Sequence, residues 1–192
     1  MTGTRAAETA ARKERLIAAA VVLAGEGGYE AVQMRDVAAR AEVALGTLYR
    51  HYASKDQLLL AAMAQQAVIL RERLIQRPPT GDTPAERVSD VLKRASRALE
   101  RSPLVTKAML AAMSSSEPAT IPLKSEIDST LRAIIGDVVD ADGHCKTFAE
   151  LDGIVRVLGS VWFAELTYWS NGLNATSSMG DNLASAAHLL LG

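Results

Sequence analysis

The feature that most constrains this chain is the helical spacing of its apolar residues, which recurs through almost the whole sequence. No segment alternates apolar and polar residues for long enough to predict a β-strand. Clusters of proline, glycine and serine at residues 78–84 and 114–118 separate the periodic segments, which number about nine. Because 48% of the 192 residues are hydrophobic, these helices have enough apolar surface to form a packed core. We therefore expect an all-α fold.

Composition excludes several kinds of protein. A single cysteine, Cys145, allows neither an intramolecular disulfide nor a multi-cysteine zinc site, so we expect no metal. The net charge of −1 excludes a globally basic nucleic-acid binder but leaves room for a local basic surface. The most apolar run, residues 157–164, is much shorter than the ~20 residues of a membrane span. We expect a cytoplasmic protein without membrane contact or cofactor.

The N-terminal segment admits two interpretations. Basic residues precede an apolar run at residues 16–25, as in a secretory signal peptide. Glu14 interrupts the basic part, however, and the run is mostly alanine without a cleavage motif behind it. We favour a first helix over residues 10–26, ended by Gly27-Gly28, with an inner stripe of four side chains. That stripe consists of Leu16, Ala19, Ala20 and Leu23.

Residues 1–53 are predicted to form a three-helix unit. Two short helices at residues 34–41 and 45–52 follow the first, in the arrangement that places a helix in the DNA major groove. Leu48 is expected to face the core, and the outward side chains are Thr47, Tyr49, Arg50 and His51. Residues 33–55 carry four basic and two acidic side chains, a local charge of +2. Similar helix pairs occur in ordinary helical bundles that do not bind DNA. Tyr49 and Tyr52 would also fit core positions. Arg50 would also fit a solvent-exposed surface without a DNA contact.

The specific residues of this unit resemble the DNA-binding domain of the TetR family of repressors. The matching segments are residues 28–32, 36–38, 46–52 and 54–55, with Val43 and Leu58 at the expected spacing. The resemblance implies a homodimer on a near-palindromic double-stranded operator, and a larger C-terminal domain whose effector releases the DNA. Residues 54–192 would be that ligand-binding and dimerisation domain, with residues 54–77 as its connecting helix.

The same resemblance implies roles for nine residues in DNA binding. Thr47 and Tyr49 match positions that contact bases and backbone, and Tyr49, His51 and Lys55 match phosphate contacts. The remaining positions on this surface are Gln33, Arg35, Leu45, Gly46 and Arg50.

Four positions depart from the family pattern. Gln33 and Ala44 stand where hydroxyl residues commonly begin the two short helices, so helix capping is expected to be weaker. Glu42 occupies a turn position where glycine is common, and Leu45 stands where basic or polar residues are frequent. A leucine there suits a thymine methyl group. These changes bear on affinity and sequence preference, and leave the expected fold unchanged.

A finer resemblance covers most of the chain and points to the KstR-type branch, the cholesterol-catabolism repressors of actinobacteria. It rests on residues 27–35, 83–84, 97–98, 101–104, 106–109 and 161–162, and on Trp169. The implied effector is a steroid acid or its coenzyme A thioester, and the implied target genes degrade sterols. The alternatives are a TetR-like regulator of another pathway, fatty acyl-CoA or drug efflux, and a helical small-molecule-binding module without DNA activity.

The segment at residues 148–169 is apolar on nearly all sides, which predicts burial against both its own core and a partner subunit. Gly153, Gly159 and Ser160 would permit close approach. The last helix is expected to complete a four-helix interface with Leu183, Ala186, Ala187 and Leu190. A central helix of a monomer fits the same pattern.

Flexible and flat apolar side chains suggest a hydrophobic effector pocket, although the same residue types often fill ordinary cores. The candidates are Met109, Leu110, Met113, Trp162, Phe163, Glu165 and Trp169. Glu165 fits either a ligand hydroxyl or an ion pair. Arg94, Arg97 and Arg101 share a helix face that suits solvent or the phosphates of coenzyme A. We find no convergent acid–base or nucleophilic set, and therefore expect no enzyme and no catalytic residue.

Overall fold

The computed structural model describes residues 2–141, 143, 147–174 and 176–192, and within these residues the chain is helical and contains no strand. The all-α prediction is confirmed. The described elements are α1 (Thr2–Ala31), α2 (Met34–Arg40), α3 (Leu45–His51), α4 (Lys55–Gln76), α5 (Pro84–Glu100), α6 (Pro103–Met113), a 3-10 turn (Pro118–Thr120), α7 (Ile121–Val139), α8 (Phe148–Ser170) and α9 (Thr176–Leu191). The predicted bounds of α2, α3, α4 and α8 agree to within a residue or two, but α1 begins earlier than expected. Cys145 lies outside the described residues.

The chain divides into two compact units by packing. The first contains the chain up to Gln65 together with Ser102–Glu126, and the second contains Gln66–Arg101 together with Ile127–Gly192. Helix α4 thus begins in the first unit and ends in the second. The predicted boundary between residues 53 and 54 separates a DNA-binding part from a ligand-binding and dimerisation part. It is defined by function and not by packing, and it stays a prediction.

The core of the first unit forms where the apolar faces of five helices meet. Buried side chains of α1, α2, α3, α4 and α6 include Leu16, Ala20, Ala24, Val37, Leu48, Leu58, Leu59, Leu60, Ala108 and Met109. Three of the four residues of the expected α1 stripe are buried, and Leu23 is half-buried. The apolar run that resembled a signal peptide is therefore the first helix of a folded unit.

Helix α1 is interrupted at the predicted place. Gly27 and Gly28 have non-helical backbone angles, and the chain then resumes a short turn that ends at Ala31. Gly28 has φ 72° and ψ −158°, a combination that is essentially restricted to glycine. The interruption redirects the chain toward α2.

The second unit is built around α5, α8 and α9, and α9 packs on both of the others. Its buried side chains include Val88, Val91, Leu92, Ala95, Val155, Leu158, Trp162, Leu166, Leu183 and Ala187. Helix α5 begins with a capping box, in which the Thr83 hydroxyl accepts from the Glu86 N–H and the Glu86 carboxylate accepts from the Thr83 N–H.

The prediction that Leu183 and Ala187 lie at a subunit interface is wrong. Both side chains are fully buried within the chain's own second unit, where they form the inner face of α9. Ala186 and Leu190 are half-buried, and the outward apolar residue of α9 is Leu189, which is 87% exposed. Among the described helices, none combines the length and apolar content required to cross a bilayer.

Candidate DNA-binding surface and effector region

Helix α3 has one face in the core and one face in solvent. Leu48 and Tyr52 are spaced one helical turn apart and are both buried, which anchors α3 to the first unit. Tyr49 lies on the opposite side and is 51% exposed, and Arg50 is also exposed. Of the two tyrosines that fitted core positions, Tyr52 is the core residue and Tyr49 is a surface residue.

The turn between α2 and α3 contains a strained residue at the position where glycine is common. Glu42 has φ 54°, in the left-handed region that glycine adopts most easily. The Glu42 N–H donates to Ala39 O at 3.2 Å and the Val43 N–H donates to Ala38 O at 3.0 Å, which together form a Schellman motif. A non-glycine residue there costs about 1–2 kcal/mol. Ala44 precedes α3 without a side-chain cap, as expected.

The outward face of α3 is polar and sterically open. Arg50 donates from Nη2 to Thr47 Oγ1 at 2.8 Å, so these two side chains are oriented together. A Cβ built on Gly46 would meet nothing within 4 Å, and the backbone is therefore accessible there. Leu45 and Thr47 are half-buried at the start of the helix.

Positive charges from α1 reach the end of α3. Burial lowers the pKa of His51, and the nearby cations Lys13, Arg12 and Arg50 lower it further. Arg12 and Lys13 were not predicted as part of this surface. The available signal was that Arg12 lies one turn before the buried Leu16 and so continues the inward face of α1.

Lys55 is held against the end of the α1 segment. Its ammonium nitrogen lies 3.8 Å from the ring centroid of Tyr29 and 3.6 Å from the Glu30 carboxylate. Tyr29 donates its hydroxyl to Asp56 Oδ1 at 2.5 Å. Burial raises the pKa of Tyr29 to about 12, together with that hydrogen bond and the surrounding carboxylates. A phosphate contact by Lys55 would therefore compete with Glu30.

The two candidates at the start of α2 are exposed. Gln33 directly precedes α2 and donates from Nε2 to Glu30 O at 2.8 Å, with no side-chain cap on the helix. Arg35 lies in the first turn of α2. All nine predicted DNA-contact residues thus belong to the first unit, on α2, α3, the start of α4 and the residue before α2.

The effector candidates fall into two groups, one in each unit. Met109 and Leu110 are buried and Met113 is half-buried on α6 in the first unit. On α8 in the second unit, Trp162 is buried, Trp169 is half-buried and Phe163 is 39% exposed.

The polar groups near the tryptophan are satisfied within the chain. Glu165 is 8% exposed and accepts from Asn174 Nδ2 at 2.9 Å and from Asn182 Nδ2 at 3.0 Å. Trp162 donates from Nε1 to Ser96 Oγ at 3.1 Å. Glu165 thus links α8 to α9 through amides, and its role as an effector contact stays a prediction.

Arg94 also has a structural role. It bonds the Asp90 carboxylate, and it donates to Arg77 O at 2.8 Å and to Pro78 O at 3.3 Å. These bonds fasten the end of α4 to α5, whereas Arg97 and Arg101 are exposed.

Two open clefts of different chemistry lie among the described residues of the second unit. One of about 530 Å³ lies along α7 and α8 and is lined by charged side chains such as Arg132, Asp137 and Asp152. The other, of about 260 Å³, is mainly apolar and includes Leu74, Ile134 and Val138 among its lining residues. None of the seven effector candidates lines either cleft. Among the described residues, no group of three or more potential ligands is placed to hold a metal ion.

The outer face of α8 is apolar and has room for a partner. Val157 is 43% exposed and Tyr168 is 47% exposed. A Cβ built on Gly153 or Gly159 would meet nothing within 4 Å. Exposed apolar groups beside such glycines are typical of a surface that another helix approaches closely.

Known proteins are similar to this chain in sequence and fold. The family model for bacterial regulatory proteins of the tetR family matches residues 16–62, and that for tetracyclin repressor-like C-terminal domains matches residues 81–190. The HTH-type transcriptional repressor KstR of Rhodococcus jostii (strain RHA1) is 34% identical over 94% of this chain and 83% of its own length.

Two solved structures are similar over nearly their full lengths. A TetR transcriptional regulator from Rhodococcus sp. RHA1 is 33% identical with a TM-score of 0.86, covering 96% of this chain and 97% of its own. The Thermus thermophilus repressor FadR, in complex with lauroyl-CoA, is 21% identical with a TM-score of 0.74, covering 93% and 92%, and shares the fold. This chain therefore belongs to the TetR family of bacterial regulatory proteins and is a transcriptional repressor related to KstR.

Proposed function

We propose that this repressor binds a near-palindromic operator as a homodimer and is released by a bulky hydrophobic effector. The observation that carries the proposal is the outward face of α3, where Tyr49 and Arg50 are exposed while Leu48 anchors the helix. A short helix held in this way presents polar and aromatic groups to a groove without losing its own core contact.

The residues of this surface divide by role. Thr47 and Tyr49 would contact base edges and backbone, and Leu45 would contact a thymine methyl group. Tyr49, His51 and Lys55 would bind phosphates, with Arg50 and the exposed backbone of Gly46 beside them. Gln33 and Arg35 would bind the backbone from the start of α2. Arg12 and Lys13 support this assignment because their charges act on His51.

The dimer would form through α8 and the outer side of α9. Val157 and Tyr168 supply apolar area, and Gly159 permits close approach. Two recognition helices entering successive major grooves would need a separation of about 34–36 Å. An effector that favours another separation would lower DNA affinity in proportion to its preference for that state.

The effector is proposed to be a steroid acid or its coenzyme A thioester, and the regulated genes to be those of sterol catabolism. Support comes from the relationship to KstR and from the lauroyl-CoA bound by the structurally similar FadR. Met109, Leu110 and Met113 on α6 and Trp162, Phe163, Glu165 and Trp169 on α8 remain the candidate contacts. Fatty acyl-CoA and drug-like effectors are the alternatives, and the proposed location is the nucleoid in the cytoplasm.

Selection of duplexes from a random-sequence pool tests the DNA-binding proposal directly. We expect a near-palindromic site whose affinity falls steeply between low and high salt, because phosphate contacts release counterions. A protein that enriches no duplex would instead be a helical small-molecule-binding module. If a duplex is enriched, genomic footprinting would identify the regulated genes.

The effector proposal is tested by DNA release with a panel of coenzyme A thioesters. Fused-ring acyl groups are expected to release the selected duplex, whereas linear acyl-CoA and free coenzyme A are not. Release by linear chains alone would favour the fatty acyl-CoA alternative. Any turnover of the thioesters would contradict the expectation of no enzyme activity.

A further inference from the structure

The first turn of α4 is bonded to the segment between α6 and α7, a contact that the DNA-binding assignment does not use. We call residues 114–120 the connector. The Ser54 hydroxyl, just before α4, donates to Glu117 Oε2 of the connector at 2.6 Å. The same hydroxyl oxygen accepts from the Gln57 N–H at 3.3 Å, as a helix N-cap does. Glu117 therefore fixes the orientation of the residue that caps α4.

Gln57 makes a second bridge from the same turn. Its Nε2 donates to Ala119 O of the connector at 2.6 Å, and its Oε1 accepts from the Ala53 N–H at 2.6 Å. The start of α4 thus differs from a standard capping box. Ser54 accepts from the Gln57 backbone as expected, but the Gln57 side chain reaches Ala53 and also holds the connector.

The connector is itself well fixed. Thr120 is fully buried and donates its hydroxyl to Glu117 O at 2.6 Å, and the Glu117 N–H donates to Ser115 Oγ at 3.3 Å. Lys124 of α7 donates to Ser115 O. The connector also follows directly after Met113 at the end of α6. Only residues 114–116 separate the end of α6 from Glu117 along the chain.

Lys55 follows Ser54 directly in the sequence and begins α4. Its ammonium group contacts Tyr29 and Glu30, while the position of its backbone is set by this first turn. We propose that Glu117 is a positioning residue for DNA binding, which holds the start of α4 through Ser54 and thereby sets where Lys55 meets the operator. The inference rests on the proposed function, because it assigns Glu117 a task only in a protein that binds DNA.

Positioning and simple electrostatics predict opposite effects for the removal of Glu117. A carboxylate beside a DNA-binding surface repels phosphate, so by charge alone Glu117→Ala tightens binding. If Glu117 positions the first turn, Glu117→Ala weakens binding although it removes a negative charge. Glu117→Gln keeps an acceptor for the Ser54 hydroxyl, and is therefore expected to bind as tightly as the wild type or more tightly.

The experiment measures affinity for the duplex that the wild-type protein enriches from a random pool. We expect a roughly 3- to 10-fold loss for Glu117→Ala, the size expected for loss of one ordinary hydrogen bond, and none for Glu117→Gln. Ser54→Ala is expected to weaken binding, and Glu117→Ala in that background should add little, because both changes break one link. Glu72→Ala removes the same charge from an exposed position on α4 and should stay within about twofold of the wild type.

Hydrogen exchange of the free protein supplies a readout without DNA. Faster exchange at the Gln57 and Leu58 amides is expected in Glu117→Ala and not in Glu117→Gln or Glu72→Ala. If the wild type binds DNA while Glu117→Ala and Glu117→Gln bind equally well, the positioning role is refuted and the proposed function survives. If the wild type enriches no duplex, the proposed function fails and this inference fails with it.

Discussion

Helices α3 and α8 each bury one face and expose the other, but their exposed faces differ in chemistry. On α3 the outward groups are the side chains of Tyr49 and Arg50 and the accessible backbone of Gly46, with further cations nearby on α1. On α8 they are Val157 and Tyr168 beside two glycines. The first face suits a charged, hydrated partner, and the second suits an apolar surface that excludes water.

The two faces are therefore expected to bind different partners, DNA at α3 and a second subunit at α8, and to respond differently to salt. Binding at α3 should depend strongly on salt, because it replaces counterions around phosphate. Association at α8 should depend on it weakly, because it removes apolar area from water. A mutation on one face that produced the salt dependence expected of the other face would contradict this comparison. Mutations confined to one face test each dependence separately.

The largest effect is expected from a charge on the outer face of α8. Val157→Asp should raise the dimer dissociation constant at least 100-fold, because an unpaired carboxylate would be buried on association. Sedimentation at micromolar concentration measures it. Val68→Asp is a matched control, since both valines are 43% exposed. A Val157→Asp protein that remains a dimer would refute the assignment of this face.

The next effect is expected at the tyrosine of α3. Tyr49→Ala should weaken operator binding about 10-fold or more, through loss of base and phosphate contacts, while the fold and the dimer are retained. Anisotropy on the selected duplex measures the affinity. Tyr168→Ala changes a tyrosine of similar exposure, 47% against 51%, and should weaken the dimer, which Tyr49→Ala should leave unchanged. Equal DNA affinity in Tyr49→Ala and wild type would count against the recognition surface.

A smaller effect is expected from protonation of His51. Burial and the cations Lys13, Arg12 and Arg50 lower its pKa in the free protein, and a phosphate partner would raise it. The complex then binds more protons than the free protein, so affinity should increase about 2- to 5-fold from about pH 7.5 to pH 6. Titrations at constant ionic strength measure this slope. His51→Gln should remove it; an unchanged slope would assign the proton to another group.

The smallest effect concerns the turn that leads into α3. Glu42→Gly should stabilise the protein by about 0.5–1 kcal/mol, because relief of the left-handed strain exceeds the added flexibility of the unfolded chain. Urea unfolding measures the change, and DNA affinity should stay within about twofold. Glu72→Gly is the opposite case, since glycine inside α4 should cost about 1 kcal/mol. Destabilisation by Glu42→Gly would show that Glu42 makes a compensating contact.

The sequence was sufficient for most helices because their signals are local. The spacing of apolar residues and the breaks at glycine and proline predicted α2, α3, α4 and α8 closely, and Gly27-Gly28 marked the break in α1. The strained turn at Glu42 and the uncapped start of α3 also followed from residue type. Each of these features depends on a few neighbouring residues.

The sequence was insufficient wherever the partner lies far along the chain. The pattern of α9 is the same whether Leu183 meets its own core or another subunit, so its burial had to be seen in the structure. The amides that hold Glu165 come from the α8–α9 turn and from α9. Likewise, nothing local to Ser54 pointed to Glu117, which lies 63 residues away.

Helix α4 has a practical consequence for dissecting the protein. Leu58, Leu59 and Leu60 are fully buried in the first unit, as is Ala108 of α6. A fragment ending at residue 53 would lack these side chains and expose the apolar faces they cover. Recombinant expression of the DNA-reading part alone should therefore give an aggregating polypeptide, and even a fragment extended through residue 65 would still lack α6. For this protein, genetic swaps of operator specificity are better made by grafting the surface of α3 than by exchanging whole N-terminal segments.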